Sequence, residues 1–210
     1  MRVIDWSEFA SPKRAPPEAQ PAPLALTVGV FDGLHLGHQA LIRRICAEGS
    51  CVPAAVTFRR NPMAKLRPEA FAGDIYSLER KLLLLEELGV RLAVLIDFSR
   101  EFSNMNGRDF ADLLLGSRPA RLLALGRDFR CGRGLDAGAA ELEGFARARG
   151  VEAWIAPPVT DGGRPVSSSR IRQALAAGRI AEAERLLGRP YGLELGAPRQ
   201  YPIGGDKTWL

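Results

Sequence analysis

The chain has 210 residues, 46% hydrophobic and 25% charged, with a formal net charge of +5. That balance suits a globular protein with a real core, and no apolar run reaches the roughly 18–20 residues that span a bilayer. The start, MRVIDWSEFA, lacks the basic-then-apolar pattern of a secretory leader. Cys46, Cys51 and Cys131 have no metal-ligand spacing and cannot close a disulfide framework, so a reducing cytoplasm is the expected setting.

The positive balance favours anionic partners. Lysine occurs only at Lys13, Lys65, Lys81 and Lys207; the remaining cation is arginine, whose planar fork suits bidentate phosphate contacts. A biased genome composition accounts for the arginine equally well. No block of basic residues and no basic–aromatic interleaving is present, which argues against a nucleic-acid partner. The apolar runs argue against a membrane one, and the oligomeric state is not readable.

In chain order, a short strand at Val3–Asp5 precedes a proline-rich excursion over 11–23, which has no hydrophobic period. LALTVGVF then reads as a buried strand and LGHQALIRRICAEG as a helix with Leu41, Ile42 and Ile45 on one side. CVPAAVTF is a second strand. Phe58–Leu78 has no clean period and reads as a long functional loop or flap. LERKLLLLEELGV gives a helix stopped at Gly89, RLAVLIDF a strand, NGRDFADLLL a helix and RLLALG a strand. After the Gly- and Arg-rich loop RDFRCGRGLDAG come the helix AAELEGFARARG and the strand VEAWIAP. Two short helices, SSSRIRQALAAGR and AEAERLLG, are separated at Gly178. No internal repeat is found.

Strands alternating with helices predict parallel pairing through right-handed crossovers, hence an α/β, Rossmann-like doubly wound sheet with a flap after the second long strand. Such sheets bind ligands at the carboxyl ends of their strands. The segment VGVFDGLHLGHQALI lies there and holds both histidines of the chain, His35 and His38. Gly29 and Gly33 allow close backbone approach or positive φ, and Gly37 leaves space between the imidazoles. Three residues apart, the two rings share one face if helical. A helix N-terminus adds unpaired N–H groups and a positive dipole end. The pair suits a metal, a satisfied core position or an anion. The histidine count disfavours the first and the glycine-rich polar turn the second. Polyphosphate is the guest that fits.

The pattern G-x-F-D-G-x-H-x-G-H resembles the nucleotidyltransferase superfamily with the HxGH signature. The run GVFDGLHLGHQ is similar to the FMN adenylyltransferase module of bacterial bifunctional riboflavin kinase/FAD synthetases. SSSRIRQAL resembles the family's S-S-T-x-I-R, and LGRDFRCGRG its G-x-D-F-x-F-G loop; LERKLLLLEELGV and AERLLGRPY add to the likeness, which covers roughly Leu24 to Leu195. It implies a single nucleotidyltransferase domain over 1–195 and a tail over 196–210.

The resemblance implies transfer of AMP from ATP to FMN, giving FAD and pyrophosphate. His35, His38 and Arg172 are then the catalytic residues. Gly29, Val30, Phe31, Asp32, Gly37, Gly126, Arg130, Ser168 and Ser169 bind nucleotide, with Ser168 and Ser169 also suited to cap the helix. Phe58, Asn61, Asp128, Phe129 and Arg164 border the acceptor. Mg²⁺ is expected to be held mainly by phosphates and water, with Asp32 as a further contact.

Departures from the family cluster on the flavin side. Its flap, T-F-x-P-H-P, reads Thr57-Phe58-Arg59-Arg60-Asn61-Pro62 here. Cys131 stands where the loop motif has its second aromatic, a change worth on the order of 1 kcal/mol of stacking. The segment that follows is one residue longer and reads Ala137-Gly138-Ala139 in place of Gly-Asp. A different phosphorylated acceptor, or a binding module without catalysis, is therefore an alternative. The sequence reaches Leu210 soon after Gly188-Arg189-Pro190-Tyr191, where family members continue into a kinase barrel, so riboflavin kinase activity is expected to be missing.

Overall fold

A computed structural model describes residues 1–11 and 22–192. Most of the proline-rich excursion and all of the tail, with Trp209, fall outside the described residues. In chain order the elements begin with β1 (Arg2–Asp5), α1 (Trp6–Ala10), β2 (Leu24–Val28), α2 (Leu36–Cys46), β3 (Val52–Phe58), α3 (Met63–Leu66), α4 (Leu78–Glu87) and β4 (Leu92–Ile96). They continue with α5 (Arg100–Asn104), α6 (Gly107–Gly116), β5 (Ala120–Gly126), β6 (Arg130–Cys131), β7 (Ala137–Gly138) and α7 (Ala139–Arg147). The last are β8 (Glu152–Ala156), β9 (Thr160–Asp161), β10 (Arg164–Pro165), α8 (Ser168–Ala176) and α9 (Ile180–Leu187).

Six strands form one parallel sheet in the order β1-β4-β3-β2-β5-β8, and β6–β7 and β9–β10 are small antiparallel ribbons. From β2 the chain first winds through β3 to β4, then crosses back so that β5 lies on the other side of β2. The doubly wound expectation holds, with the divergence between β2 and β5. β1 adds a strand on the far edge beside β4.

Side-chain alternation divides the core between two faces. Leu24, Leu26 and Val28 of β2, with Leu92, Val94 and Ile96 of β4, face α1, α6 and α7. Ala25, Ala93 and Leu95 face the other way, onto Ile42 and Ile45 of α2 and Leu82 and Leu85 of α4. Both faces being covered, the strands are apolar throughout, as parallel strands are. A third cluster, built from Ile171, Ala174, Ala183, Leu186 and Leu187 of α8 and α9, closes on Ile75 and Val166. Gly89 (φ 99) ends α4 and Gly178 (φ 69) parts α8 from α9, as the sequence indicates. Among the described residues no helix is long and apolar enough to cross a membrane.

The region read as a long functional loop or flap contains α3 and a 3₁₀ turn at Pro68–Ala70, pieces too short to leave a periodic trace. The loop after β5 is also more ordered than its composition suggests. It folds into the β6–β7 ribbon and is pinned to α6, where the Gly107 amide donates to Asp136 Oδ1 at 2.9 Å and the Arg133 amide to the Met105 carbonyl at 2.8 Å. Gly132 permits this: its φ is 80, and a Cβ there would lie 1.9 Å from Asp136 Oδ1 and 2.4 Å from the Gly107 amide. Gly132→Ala should therefore lower stability by at least about 1 kcal/mol, read as a lower urea midpoint at unchanged slope.

Candidate active site

A cleft of about 260 Å³ opens at the carboxyl ends of β2, β5 and β8, where the connections diverge and ligands bind in such sheets. One wall is the turn from β2 into α2. Its backbone is unusual: Phe31 has φ 53, Gly33 φ 78 and Leu34 φ 43. Left-handed conformations in Phe and Leu cost of order 1–3 kcal/mol each and persist only where surrounding structure enforces them.

The enforcing contacts come from elements distant in sequence. The Val30 carbonyl accepts from Thr57 Oγ1 of β3 at 3.0 Å and from Lys81 Nζ of α4 at 3.2 Å. The Asp32 carbonyl accepts from Ser168 Oγ of α8 at 2.8 Å. The Asp32 carboxylate, 4% exposed, accepts from the Ile75 amide at 2.8 Å and forms an ion pair with Arg172. Burial pushes this carboxyl up, while the Ile75 amide and Arg172 pull it back. Lys81, 8% exposed, also donates to the Phe58 carbonyl at 3.1 Å; burial lowers its ammonium.

Beyond the turn, His35 occupies the N-cap of α2 and its Nδ1 accepts from the His38 amide at 3.4 Å. The ring of His38 stacks on it, with centroids 3.7 Å apart and planes 19° from parallel. A Cβ on Gly37 would lie 3.2 Å from the His35 ring, so glycine is what leaves that ring room. Phe31 meets His38 edge-on at 5.3 Å. His35 is 7% exposed; burial and the charge of Arg189 bring its imidazole down to about 4. Burial, followed by the neighbouring His35, Lys81 and Arg189, holds His38 well below the ordinary value. Both rings are thus neutral near pH 7. His38 Nδ1 is enclosed and has no hydrogen-bond partner, a deficit that interiors rarely tolerate and functional sites do.

Of the residues singled out by sequence, Gly29, Phe31, His35, Gly37, His38, Gly126, Asp128 and Phe129 line the cleft. Others lie elsewhere. Val30 and Asp32 sit behind the turn, bonded to the elements that brace it. Arg172 is turned to Asp32, and its Nε donates to the Gly73 carbonyl at 2.7 Å. The cap of α8 is Ser167, whose hydroxyl accepts from the Arg170 amide at 3.3 Å, so the cap expected at Ser168 or Ser169 falls one residue earlier. Ser168 is turned to the Asp32 carbonyl and Ser169 is exposed. Arg130 lies on the β6 ribbon and Arg164 on β10, both exposed. Phe58 packs against Phe98 and Phe102. Asn61 is buried, donating to Asp74 at 2.8 Å and accepting from the Met63 amide at 3.1 Å, so it ties the flap to itself.

The cleft also takes in Arg127, Ser167 and the apolar run Pro157–Val159. The short β9–β10 ribbon that positions this last wall leaves no periodic signal; the dipeptide Gly162–Gly163, both at positive φ, is the mark that could have located its turn.

A family model described as FAD synthetase matches residues 18–170. The chain belongs to the FAD synthetase family. The bifunctional riboflavin kinase/FMN adenylyltransferase of Escherichia coli K12 is 33% identical over 172 residues, covering 80% of this chain and 55% of that protein. Its Bacillus subtilis counterpart is 30% identical over 190 residues, 87% of this chain and 57% of that one. The chain spans about half the length of these curated relatives. A crystal structure titled as a macrolide-efflux protein from Streptococcus pneumoniae superposes with a TM-score of 0.73 at 30% identity, over 82% of this chain and 67% of that one. A pantoate-beta-alanine ligase from Francisella tularensis shares the fold at a TM-score of 0.54 and 16% identity, over 87% of this chain and 78% of that one.

The neutral imidazoles carry a pH signature. The folded value of His35 is about 4, against an ordinary 6.5, so the unfolded chain binds more protons between those limits. The stability that His35 contributes is complete above pH 6.5 and is lost as pH falls toward 4. Between pH 7 and pH 5 the loss should be roughly 2 kcal/mol for this residue. Urea denaturation at the two pH values should show it, and His35→Gln should flatten the dependence.

Proposed function

We propose that this FAD synthetase family member transfers the adenylyl group of ATP to FMN, giving FAD and pyrophosphate. The observation that carries the reading is the stacked imidazole pair at the N-terminus of α2. It has an unpartnered buried nitrogen and lies beside a cleft at the divergence of β2 and β5.

A phosphate oxygen of FMN attacks the α-phosphorus in line; the new P–O bond forms as the bond to pyrophosphate breaks. The attacking oxygen is already anionic, so no strong base is required, and catalysis rests on positioning and charge neutralisation. His35 and His38 contact the triphosphate and the charge developing on the α-phosphate. As neutral rings each donates one hydrogen bond; an arriving phosphate raises their affinity for protons, so binding takes protons up. Arg172, with Ser168 and Ser169, serves the β- and γ-phosphates once the anion competes with Asp32 for its guanidinium. Gly29, Phe31 and Gly37 shape the nucleotide wall, with Gly126 opposite; Arg130 would have to swing in from the β6 ribbon to reach the bound nucleotide.

Mg²⁺ fits this arrangement as an ion carried by phosphates and water. Asp32 is already engaged by Arg172 and the Ile75 amide, and no group of three or more metal-binding side chains occurs among the described residues. The ion supplies charge neutralisation on the phosphates.

For the acceptor, support comes from Phe129 and Asp128 on the cleft wall; a second hollow of about 480 Å³ lies toward the opposite side of the sheet, at the ends of β1 and β4. Its lining mixes Trp6, Phe102 and Met105 with the carboxylates Asp5, Asp97 and Glu101, and Arg59 stands on it already paired with Asp5 at 2.6 Å. A different phosphorylated acceptor is favoured by one feature, the inward commitment of Asn61 to Asp74 and Met63. The half of the relatives that this chain does not match forms no part of the proposed activity.

Chromatography of Mg-ATP incubated with FMN should show FAD and stoichiometric pyrophosphate. Riboflavin, phosphopantetheine and nicotinate mononucleotide run in parallel; product with one of these and none with FMN would replace the acceptor. His38→Ala should lose on the order of a hundredfold or more in kcat with its melting transition retained. Undiminished turnover in that variant would remove the imidazole from the mechanism.

A further inference from the structure

Behind the imidazole pair lies a cation that the adenylyl-transfer reading does not use. α9 ends at Gly188, whose φ of 68 turns the chain back; a Cβ there would lie 2.5 Å from Leu36 Cδ2, at the first residue of α2. The turn delivers Arg189 under the loop that precedes His35. Its Nη1 donates to the Leu34 carbonyl at 2.9 Å and to the Leu187 carbonyl at 3.3 Å, and Nη2 donates to the Gly33 carbonyl. Gln39, in α2, donates to the same Leu34 and Leu187 carbonyls at 3.0 and 2.7 Å. The guanidinium lies over the Tyr76 ring at 5.3 Å, and Tyr76 in turn meets Tyr191 at 5.7 Å. Arg189 Nε is buried without a partner.

We infer that Arg189 is a positioning residue for the reaction, holding the peptides of Gly33 and Leu34 in left-handed geometry and so setting where His35 and His38 stand. The argument rests on three points. Leu34 has φ 43 and immediately precedes the N-cap histidine, so the direction of its carbonyl and the entry of His35 are one geometric choice. The fork of Arg189 meets two successive carbonyls of that turn, a match that a single ammonium lacks. Finally, a half-buried cation with an orphaned Nε is costly, and what the guanidinium gains in return is contact with the carbonyls of the turn itself.

The same cation acts on the rings by charge. It contributes to the lowered titration of both imidazoles, together with Lys81 of α4 at His38. Around it stand Tyr76, and Arg80 and Glu87 of α4. Removing it both frees the turn and raises the proton affinity of the rings. A residue that merely filled space would do neither.

The inference rests on the adenylyl-transfer reading only for turnover. The full chain is compared as wild type, Arg189→Gln and Arg189→Lys, with thermal melts as control. His35 and His38 are the only histidines, so their NMR titrations are read without ambiguity, and Mg-ATP affinity is read by calorimetry. Arg189→Gln should move the His35 midpoint upward from about 4 and weaken Mg-ATP binding roughly tenfold, with a comparable loss in kcat. Arg189→Lys should keep the low midpoints, by retaining the charge, and lose severalfold in kcat, by losing the fork. A folded Arg189→Gln with wild-type midpoints and wild-type Mg-ATP affinity overturns the inference. Should that variant not fold, Arg189→Lys decides: unchanged kcat and affinity overturn it, and depressed midpoints with reduced affinity or kcat support it. Neither titration nor calorimetry needs flavin, so failure to form FAD speaks against the acceptor alone.

Discussion

The left-handed turn from Phe31 to Leu34 is the constraint on which the rest of the structure depends. Its carbonyls, and that of Val30 just before it, are gripped from β3, α4, α8, α2 and Arg189 beyond the end of α9, so several elements distant in sequence converge on this short stretch. Strain of this kind is kept only by over-determination. Here the converging donors also fix the cleft wall, so the hydrogen bonds that stabilise the fold around the turn set the position of the imidazoles.

The electrostatic consequence follows from the identity of those donors. Lys81, Arg172 and Arg189 all approach the turn, with Asp32 in direct ion contact with Arg172. Positive charge and low dielectric strip protons from the histidines, leaving a site with a surplus of cation and neutral rings. The polyphosphate guest proposed above rests on two independent grounds: one is residue patterns over 18–170, the other the position of the imidazole pair and the cations behind it.

Much of this was legible in the primary structure because parallel strands covered on both faces leave long apolar runs. LALTV and LAVLI declare themselves, as do the helices with caps such as Ser77 and Asn106. The pieces that escaped are short. α1, α5 and the two ribbons extend over too few residues for a period to emerge. The cap of α8 was misplaced because three consecutive serines offer equal chemistry, and only the path of the chain selects Ser167. Within the site, glycine spacing and the histidine pair carried a local message. Lys81, Gln39 and Arg189 act through carbonyls far away in sequence, and such pairings are written in no spacing pattern. Arg172 shows the reverse limit: its motif suggests a phosphate hand, yet in this structure that hand is closed on Asp32.

The α8–α9 hairpin has a hydrophobic cluster of its own, joined to Ile75 and Val166 rather than to the central sheet. A unit packed in this way opens as a separate cooperative segment, at lower free energy than the strands. Ser168, Arg172 and Arg189 would depart with it, and the turn would relax while β2 to β5 stayed paired. Amide exchange would then be rapid around Leu34 and slow at Leu26, and inactivation by mild heat would precede any loss of sheet content.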